Sequence, residues 1–176
     1  MKNMNGKIKL ETEVIIKKFG LVPLDGEGGL YYEAYRSEEF IDGKSLPKRY
    51  GSERCFYTSI YYLITDKNYS HLHKVKSDEI FHFYLGDPVE MLNLFPDGSF
   101  KKIILGQNIL KDEKLQHLVP SEVWQGTRLK KGGSFALLGT TVSPGFEFED
   151  FTSAEEYKDE IMQKYDNIRS YIIDYF

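Results

Sequence analysis

Cysteine is almost missing from this chain: Cys55 is the single one in 176 residues. An intramolecular disulfide is therefore excluded, and a reducing compartment suits the composition. Basic runs are missing as well. The 23 Lys and Arg are interspersed with 27 Asp and Glu, for a formal net charge of −4. No segment could track a phosphate backbone, so nucleic acid is not an expected partner. No apolar run approaches the roughly 20 residues of a membrane span. Residues 1–7 lack the apolar core of a signal peptide. These absences lead to the expectation of a cytoplasmic protein with no membrane partner. Tryptophan is also single, but 13 Tyr and 12 Phe are present, and aromatic richness favours strands. A chain of this length is most simply one domain, residues 1–176, able to bury a full core without disulfide or structural metal.

The local patterns divide the chain into helix, strands and helix. Ile15, Ile16 and Phe19 recur at helical spacing and Gly20 is a stop signal, which predicts a short helix over residues 12–19. From 28 to 151 the pattern is one of strands. The runs 30–36, 56–64, 80–85, 89–95, 100–105 and 135–142 are short, aromatic or β-branched, and bounded by turn signals such as Pro96-Asp97-Gly98 and Lys130-Lys131-Gly132-Gly133. Many short strands without intervening helices predict an antiparallel sandwich or barrel. The polar stretch 37–52 reads as a long loop, a lid over a barrel mouth. Ser153 and Glu156 form a capping-box pattern, and Tyr157, Ile161, Tyr165, Ile168 and Ile172 then recur every three to four residues. They predict one amphipathic helix over 153–172, packed on the barrel.

The chemistry concentrates in one place. Three of the four histidines, His71, His73 and His82, fall within twelve residues, and Glu79 lies among them. In a regular strand, residues two apart share a face, so His71 and His73 point the same way with Cα atoms about 6.5 Å apart. The polar Lys76-Ser77-Asp78 turns the chain, and Glu79 can return beside the imidazoles. Two histidines and a carboxylate with open positions suit a divalent metal. The same geometry without metal suits a general base, a histidine held by a carboxylate. His82 has the opposite parity to Glu79 and is expected to point away, while His117 has no assigned role.

Other residues are candidates for a pocket wall. Arg36, near Glu33, could bind an oxyanion through its planar fork, or could form a surface ion pair. Tyr61 and Tyr62 alternate sides, so one must face inward, and Tyr61 is taken for the wall. Trp124, beside Gln125, offers a large apolar face and one donor. Glu147, Glu149 and Asp150 alternate with Phe146, Phe148 and Phe151 as in an ordinary strand, and receive no chemistry.

His71-Leu72-His73, then Glu79, then Gly86 resembles the first motif of the cupin superfamily. Pro120-Ser121-Glu122-Val123-Trp124-Gln125 stands where the second motif would, with Gln125 in place of its histidine ligand and Glu122 in place of its glycine. A narrower resemblance, to a cupin family catalogued as a domain of unknown function, covers most of the chain. It rests on Gly28-Gly29-Leu30-Tyr31-Tyr32-Glu33-Ala34-Tyr35-Arg36-Ser37, Thr58-Ser59-Ile60-Tyr61-Tyr62-Leu63, Ser77-Asp78-Glu79-Ile80-Phe81-His82-Phe83-Tyr84 and Val142-Ser143-Pro144-Gly145-Phe146. One departure is visible: where the relatives carry Pro-His-Pro-Glu, this chain reads Pro23-Leu24-Asp25-Gly26-Glu27.

The resemblance implies a mostly β fold, a double-stranded β-helix or jelly-roll barrel like that of the sugar-nucleotide 3,5-epimerases, with short flanking helices, and a homodimer. It also implies a metal set of His71, His73, Glu79 and Gln125, for iron, manganese, nickel or zinc. The amide of Gln125 is a poor ligand, so the site could equally hold no metal. The expected function is small-molecule binding in a barrel pocket centred on His73 and Glu79, walled by Glu33, Arg36, Tyr61, Trp124 and Gln125, with a ligand of anionic character. The alternatives are a metal-free epimerase or isomerase of a sugar nucleotide or similar phosphate, with His73 as general base, and a binding protein without turnover.

Overall fold

The computed structural model describes residues 2–176, with side chains from residue 11 onward. The expectation about residues 1–7 therefore lies outside the described side chains. Helix α1 (Lys2–Phe19) begins earlier than the periodicity predicts. It stops at the predicted glycine: Gly20 adopts φ +64°, and the Leu21 N–H donates to the Ile16 carbonyl at 3.0 Å, a Schellman closure.

The strands follow in chain order: β1 (Val22–Pro23), β2 (Leu30–Arg36), β3 (Phe40–Ile41), β4 (Arg54–Cys55), β5 (Thr58–Thr65), β6 (Ser70–Val75), β7 (Asp78–Gly86), β8 (Val89–Leu94), β9 (Phe100–Leu105), β10 (Gln116–Val119), β11 (Trp124–Leu129), β12 (Phe135–Ser143) and β13 (Phe151–Ser153). Eleven of them form two facing antiparallel sheets, β1-β2-β5-β12-β7-β10 and β13-β6-β11-β8-β9, and β3 and β4 pair separately. This is the jelly-roll expected. Tyr62, Ile64, Phe81, Phe83, Met91 and Leu138 fill the space between the sheets. Residue alternation along each strand explains why: the inward positions are apolar and bulky, as an interior packed from both sides requires.

Two outer layers complete the core. Leu21, Leu63 and Leu137 lie beneath α1. On the other sheet, Leu72, Leu92 and Leu94 are covered by Ile161, Met162, Tyr165, Ile172 and Tyr175. The C-terminal stripe thus packs as its periodicity predicts, apart from Tyr157, which lies against Trp124 with ring centroids 5.6 Å apart. The segment is not one helix, however. It breaks into α2 (Lys158–Lys164) and α3 (Arg169–Ile172), flanked by 3-10 turns. Tyr165 leaves helical geometry while its hydroxyl donates to the Phe95 carbonyl at 2.5 Å, and Arg169 takes the Met162 carbonyl at 3.0 Å. Ser153 Oγ accepts the Glu155 N–H at 3.2 Å, one residue short of the capping-box spacing. Among the described residues, no helix is long and apolar enough to cross a membrane.

The stretch 37–52 is not a free lid. β3 pairs with β4, Arg49 donates to the Lys76 carbonyl at 2.7 Å, and the buried Tyr50 reaches Ser77 Oγ at 2.9 Å. These contacts pin the segment to the β6–β7 turn. The predicted strand through 146–150 is also replaced, by a turn and a 3-10 segment, Phe148–Asp150.

Candidate functional site

A cavity of about 270 Å³ opens between the sheets. Leu24, Tyr31, Ile60, Val142, Phe146, Phe148 and Phe151 make its apolar wall, and Asp25, Glu27, Glu33, Glu79, Glu147 and Arg36 carry its charges. Two of the expected pocket residues, Glu33 and Arg36, and the expected catalytic Glu79 therefore face it. His71, His73, Tyr61, Trp124 and Gln125 are not among its lining residues.

Two irregularities of strand pairing explain much of this. In β6, Gln125 pairs with His73 but Thr127 pairs with Ser70. Three steps on one strand oppose two on the other, so the bulge puts Ser70 and His73 on the inner face and displaces His71. The His71 ring instead lies 4.4 Å from Tyr69, at a second depression outside the barrel. The expected shared face of His71 and His73 is corrected accordingly. In β2, Glu33 pairs with Ile60 and Tyr35 with Ser59. That bulge at Ala34 brings Glu33 and Arg36, three residues apart, to the same inner side.

Arg36 is then fully committed. Its Nε and one terminal nitrogen bind Glu33 at 3.0 and 2.9 Å, and the latter also meets the Phe146 carbonyl at 3.1 Å. The other terminal nitrogen meets Glu147 at 2.6 Å and Cys55 Sγ at 3.7 Å. All five N–H groups have partners, so the expected oxyanion role of Arg36 is corrected: an anion entering the cavity would find no donor there. Glu147, given no chemistry from the sequence, is a wall residue.

The centre is built from Glu27, His73, Glu79 and Gln125. Gly28 and Gly29 adopt φ +94° and +72°, turning the chain so that the Glu27 carbonyl accepts the His71 N–H at 2.8 Å. Glu27 Oε1 accepts from Ser70 Oγ at 3.0 Å, and its Oε2 lies 3.7 Å from His73 Nε2. The His73 ring is 1% exposed, stacks on Phe151 at 5.3 Å, and directs Nδ1 at the His71 carbonyl at 2.8 Å. A carbonyl only accepts, so Nδ1 carries the proton and Nε2 faces Glu27. The cavity is thus reached through Glu27, with His73 behind it. The expected direct action of His73 on a ligand is corrected: His73 is not among the residues that line the cavity, and Glu27 is.

Glu79 lies in the cavity wall and accepts from Gln125 Nε2 at 2.6 Å. Burial, and then the negative charge of Glu27, push its carboxyl up to about 6, against the smaller opposing pull of His73 and the amide. Folding thus strengthens its hold on a proton. The resulting stability is full below about pH 4.5 and is lost as pH rises through about 6, a change on the order of 2 kcal/mol. Urea unfolding of wild type and Glu79→Gln is expected to show the variant gaining about that much relative to wild type between pH 4.5 and 7.5. A constant difference across that range would show that the carboxyl is not strained by its surroundings.

The remaining candidates lie elsewhere. Tyr61 packs outside against Phe19, with centroids 4.6 Å apart, and Tyr62 is the inward ring, its hydroxyl donating to the Gly28 carbonyl at 2.8 Å. Trp124 sits on the outer face of its sheet beneath Tyr157, while Gln125, its neighbour, points inward. His82 does point away: Gln116 donates to its Nδ1 at 2.9 Å, and its Nε2 meets Thr141 Oγ1 at 3.1 Å. His117 meets the buried Asn93 Oδ1 at 2.8 Å.

The residues present do not fit the expected metal. His71 is turned out, the Gln125 amide N–H rather than its oxygen faces Glu79, and Gln125 Oε1 is buried without a hydrogen-bond partner among the described residues. No group of three His, Cys, Asp or Glu among the described residues is placed to hold an ion.

A buried carboxylate on the inner face of a two-sheet jelly-roll, backed by a histidine from the preceding strand, is the arrangement the sequence motifs anticipated. The family model described as Cupin superfamily (DUF985) matches residues 13–154. The chain belongs to this cupin family. It is 31% identical over 136 residues to the uncharacterized protein YML079W of Saccharomyces cerevisiae, covering 72% of this chain and 67% of that one. A hypothetical protein from Leishmania major superposes with a TM-score of 0.82 at 29% identity, covering 93% of this chain and 97% of that structure. Protein SO0799 from Shewanella oneidensis gives 0.79 at 29% identity, with coverage of 92% and 94%.

In this cupin the residue that sequence reasoning passed over is Glu27. A signal was present: an acid directly before Gly28-Gly29, where paired glycines permit a close backbone approach. Without knowing which strand the loop would meet, the carboxylate could not be placed.

Proposed function

We propose that this cupin binds a small molecule in the barrel cavity, with Glu79 and Glu27 as the polar groups that meet it and Ser70 holding Glu27 in place. The observation that carries the reading is Glu79 itself, 8% exposed yet in the wall of a cavity whose other surfaces are largely apolar. A concave apolar site with a few convergent polar groups is what small-molecule sites share, and this one lies at the small end of their roughly 300–1,000 Å³ range. A carboxyl held near pH 6 can give or take a proton at a ligand atom within reach.

Ligand-observed NMR against a fragment library tests the site. Hits are expected to be lost in Val142→Trp, which fills the cavity, and kept in Leu110→Ala, an exposed residue outside it. Hits indifferent to Val142→Trp would overturn the reading. Because the ligand set for a metal is not assembled, dialysis against a chelator is expected to leave the thermal midpoint and the fragment hits unchanged.

A second copy of the chain is the proposed protein partner. Beyond α1, the outer face of the six-stranded sheet leaves Tyr32, Tyr35, Ile80, Tyr84 and Leu118 exposed. Ile80, Tyr84 and Leu118 come from the neighbouring strands β7 and β10, and Tyr32 and Tyr35 from β2, two strands away on the same sheet; exposed apolar side chains on one face are of the kind that marks an interaction surface. Sedimentation equilibrium is expected to give twice the chain mass for wild type and the single mass for Ile80→Glu. A monomeric wild type would end this part of the proposal.

A further inference from the structure

The cavity wall is rich in acceptors and short of donors. It carries five carboxylates, and its single cation, Arg36, is shared between two of them, Glu33 and Glu147. Among the described residues, Asp25 and Glu79 have no Lys, Arg or His within ion-pair distance, and Glu27 has only the His73 ring at 3.7 Å. With a neutral ring, that contact sets a lone pair against a carboxylate oxygen, two acceptors with no proton between them. The surplus continues behind the wall, where the buried Gln125 Oε1 has no donor. Apart from the hydroxyls of Thr58 and Thr140, the rest of the wall is largely apolar and aromatic: Phe151 extends over His73, and Phe146 and Phe148 meet edge to face at 5.5 Å.

Charge and shape therefore select together. An anion would enter against unpaired carboxylates with no free N–H to receive it. A neutral polyol could donate to Glu27 and Glu79 but would leave the aromatic wall against hydroxyls. A protonated amine supplies three donors and the missing charge, and aromatic faces favour a cation as well as an apolar body. Resting on the reading of this cavity as the ligand site, we infer that the ligand is a small organic cation, an ammonium group on an apolar body about the size of one ring. The ammonium sits between Glu27 and Glu79, with Asp25 at the rim steering it in.

Three probes of one shape and different charge test this by isothermal titration calorimetry near pH 7.5: benzylamine, benzyl alcohol and benzoate. Benzylamine is expected to bind about tenfold or more tighter than either of the others, the worth of one charge-assisted hydrogen bond. Glu27→Gln is expected to cost a similar factor. The exposed Asp25→Asn, which threatens no packing, is expected to weaken benzylamine severalfold and to reduce the salt dependence of binding. Benzyl alcohol or benzoate binding as tightly as benzylamine, and lost in Val142→Trp, would overturn the cation inference and leave the cavity as the ligand site. Benzylamine binding that survives Val142→Trp would overturn both, as would no binding by any of the three.

Discussion

Gly28→Ala is expected to destabilise the protein by about 3 kcal/mol and to abolish binding in the cavity. Gly28 holds φ +94°, where an L side chain is strained, and an added Cβ would overlap the Tyr69 carbonyl oxygen and come 3.0 Å from the His71 ring. The first effect alone is worth roughly 1 kcal/mol. The second acts against backbone, which cannot rotate away as a side-chain tip can. Relief requires the loop to lift, and lifting breaks the contacts that place Glu27: the Gly28 N–H to the Leu24 carbonyl at 2.9 Å, the Tyr62 hydroxyl to the Gly28 carbonyl at 2.8 Å, and the His71 N–H to the Glu27 carbonyl at 2.8 Å. Gly132→Ala is the matched control. It has φ +90° and no neighbour within 4 Å of an added Cβ, so it reports the conformational cost alone. Guanidinium unfolding of the two variants separates the terms. Equal losses in both would show that the close approach to Tyr69 carries no energy.

Arg54→Ala is expected to cost about 3 kcal/mol as well, through an uncompensated buried charge. Arg54 and Asp150 are 0% and 1% exposed, and they meet twice at 2.7 Å. Glu149 at 2.6 Å, Ser52 Oγ at 2.6 Å and the Glu53 carbonyl at 2.8 Å take the remaining N–H groups. Truncation leaves the Asp150 carboxylate buried with Lys76, at 3.3 Å, as its remaining cation. That residual partner holds the cost to the lower part of the usual range. Because a domain's net stability is about 5–15 kcal/mol, the shift in denaturation midpoint will be large. Arg54→Lys is expected to recover little, since an ammonium cannot make the paired contact. Arg54→Ala combined with Asp150→Ala is expected to recover part of the loss, and a strictly additive double variant would show that the two residues are not coupled. The consequence reaches the site, because the clamp holds the 3-10 segment between Glu147 and Phe151, all of it near the cavity wall.

Much of the architecture was legible from local pattern. The strands at Leu30–Arg36 and Phe100–Leu105 fall where alternation and turn residues place them, and Gly20 ends α1 as a left-handed cap should. Three strands, β6, β10 and β11, were weaker signals. Ser70 and His73 on β6 and Gln125 and Thr127 on β11 are polar yet buried, and a hydrophobicity pattern cannot report that. The C-terminal stripe announced which residues would be buried. It did not announce the break at Tyr165, where the hydroxyl binds the Phe95 carbonyl, 70 residues away in sequence.

The candidate site divides along the same line. Sequence alone led to the expectation that Glu79 and His73 face inward and that His82 faces outward, and it left Arg36 open between an oxyanion site and an ion pair. Local alternation is enough for Glu79 and His82, which stand three residues apart on β7 and therefore on opposite faces. Tertiary structure decided the rest: that His71 leaves the group, that Arg36 has no donor to spare, that Glu27 replaces the expected third partner, and that the cavity is acidic. The physical reason is that a bulge is set by the register of the partner strand, and a side chain's free donors are set by everything that packs around it. Both rest on contacts between residues 19 to 111 positions apart in the chain, as from Arg36 to Cys55 and to Glu147, and no short window of sequence contains them.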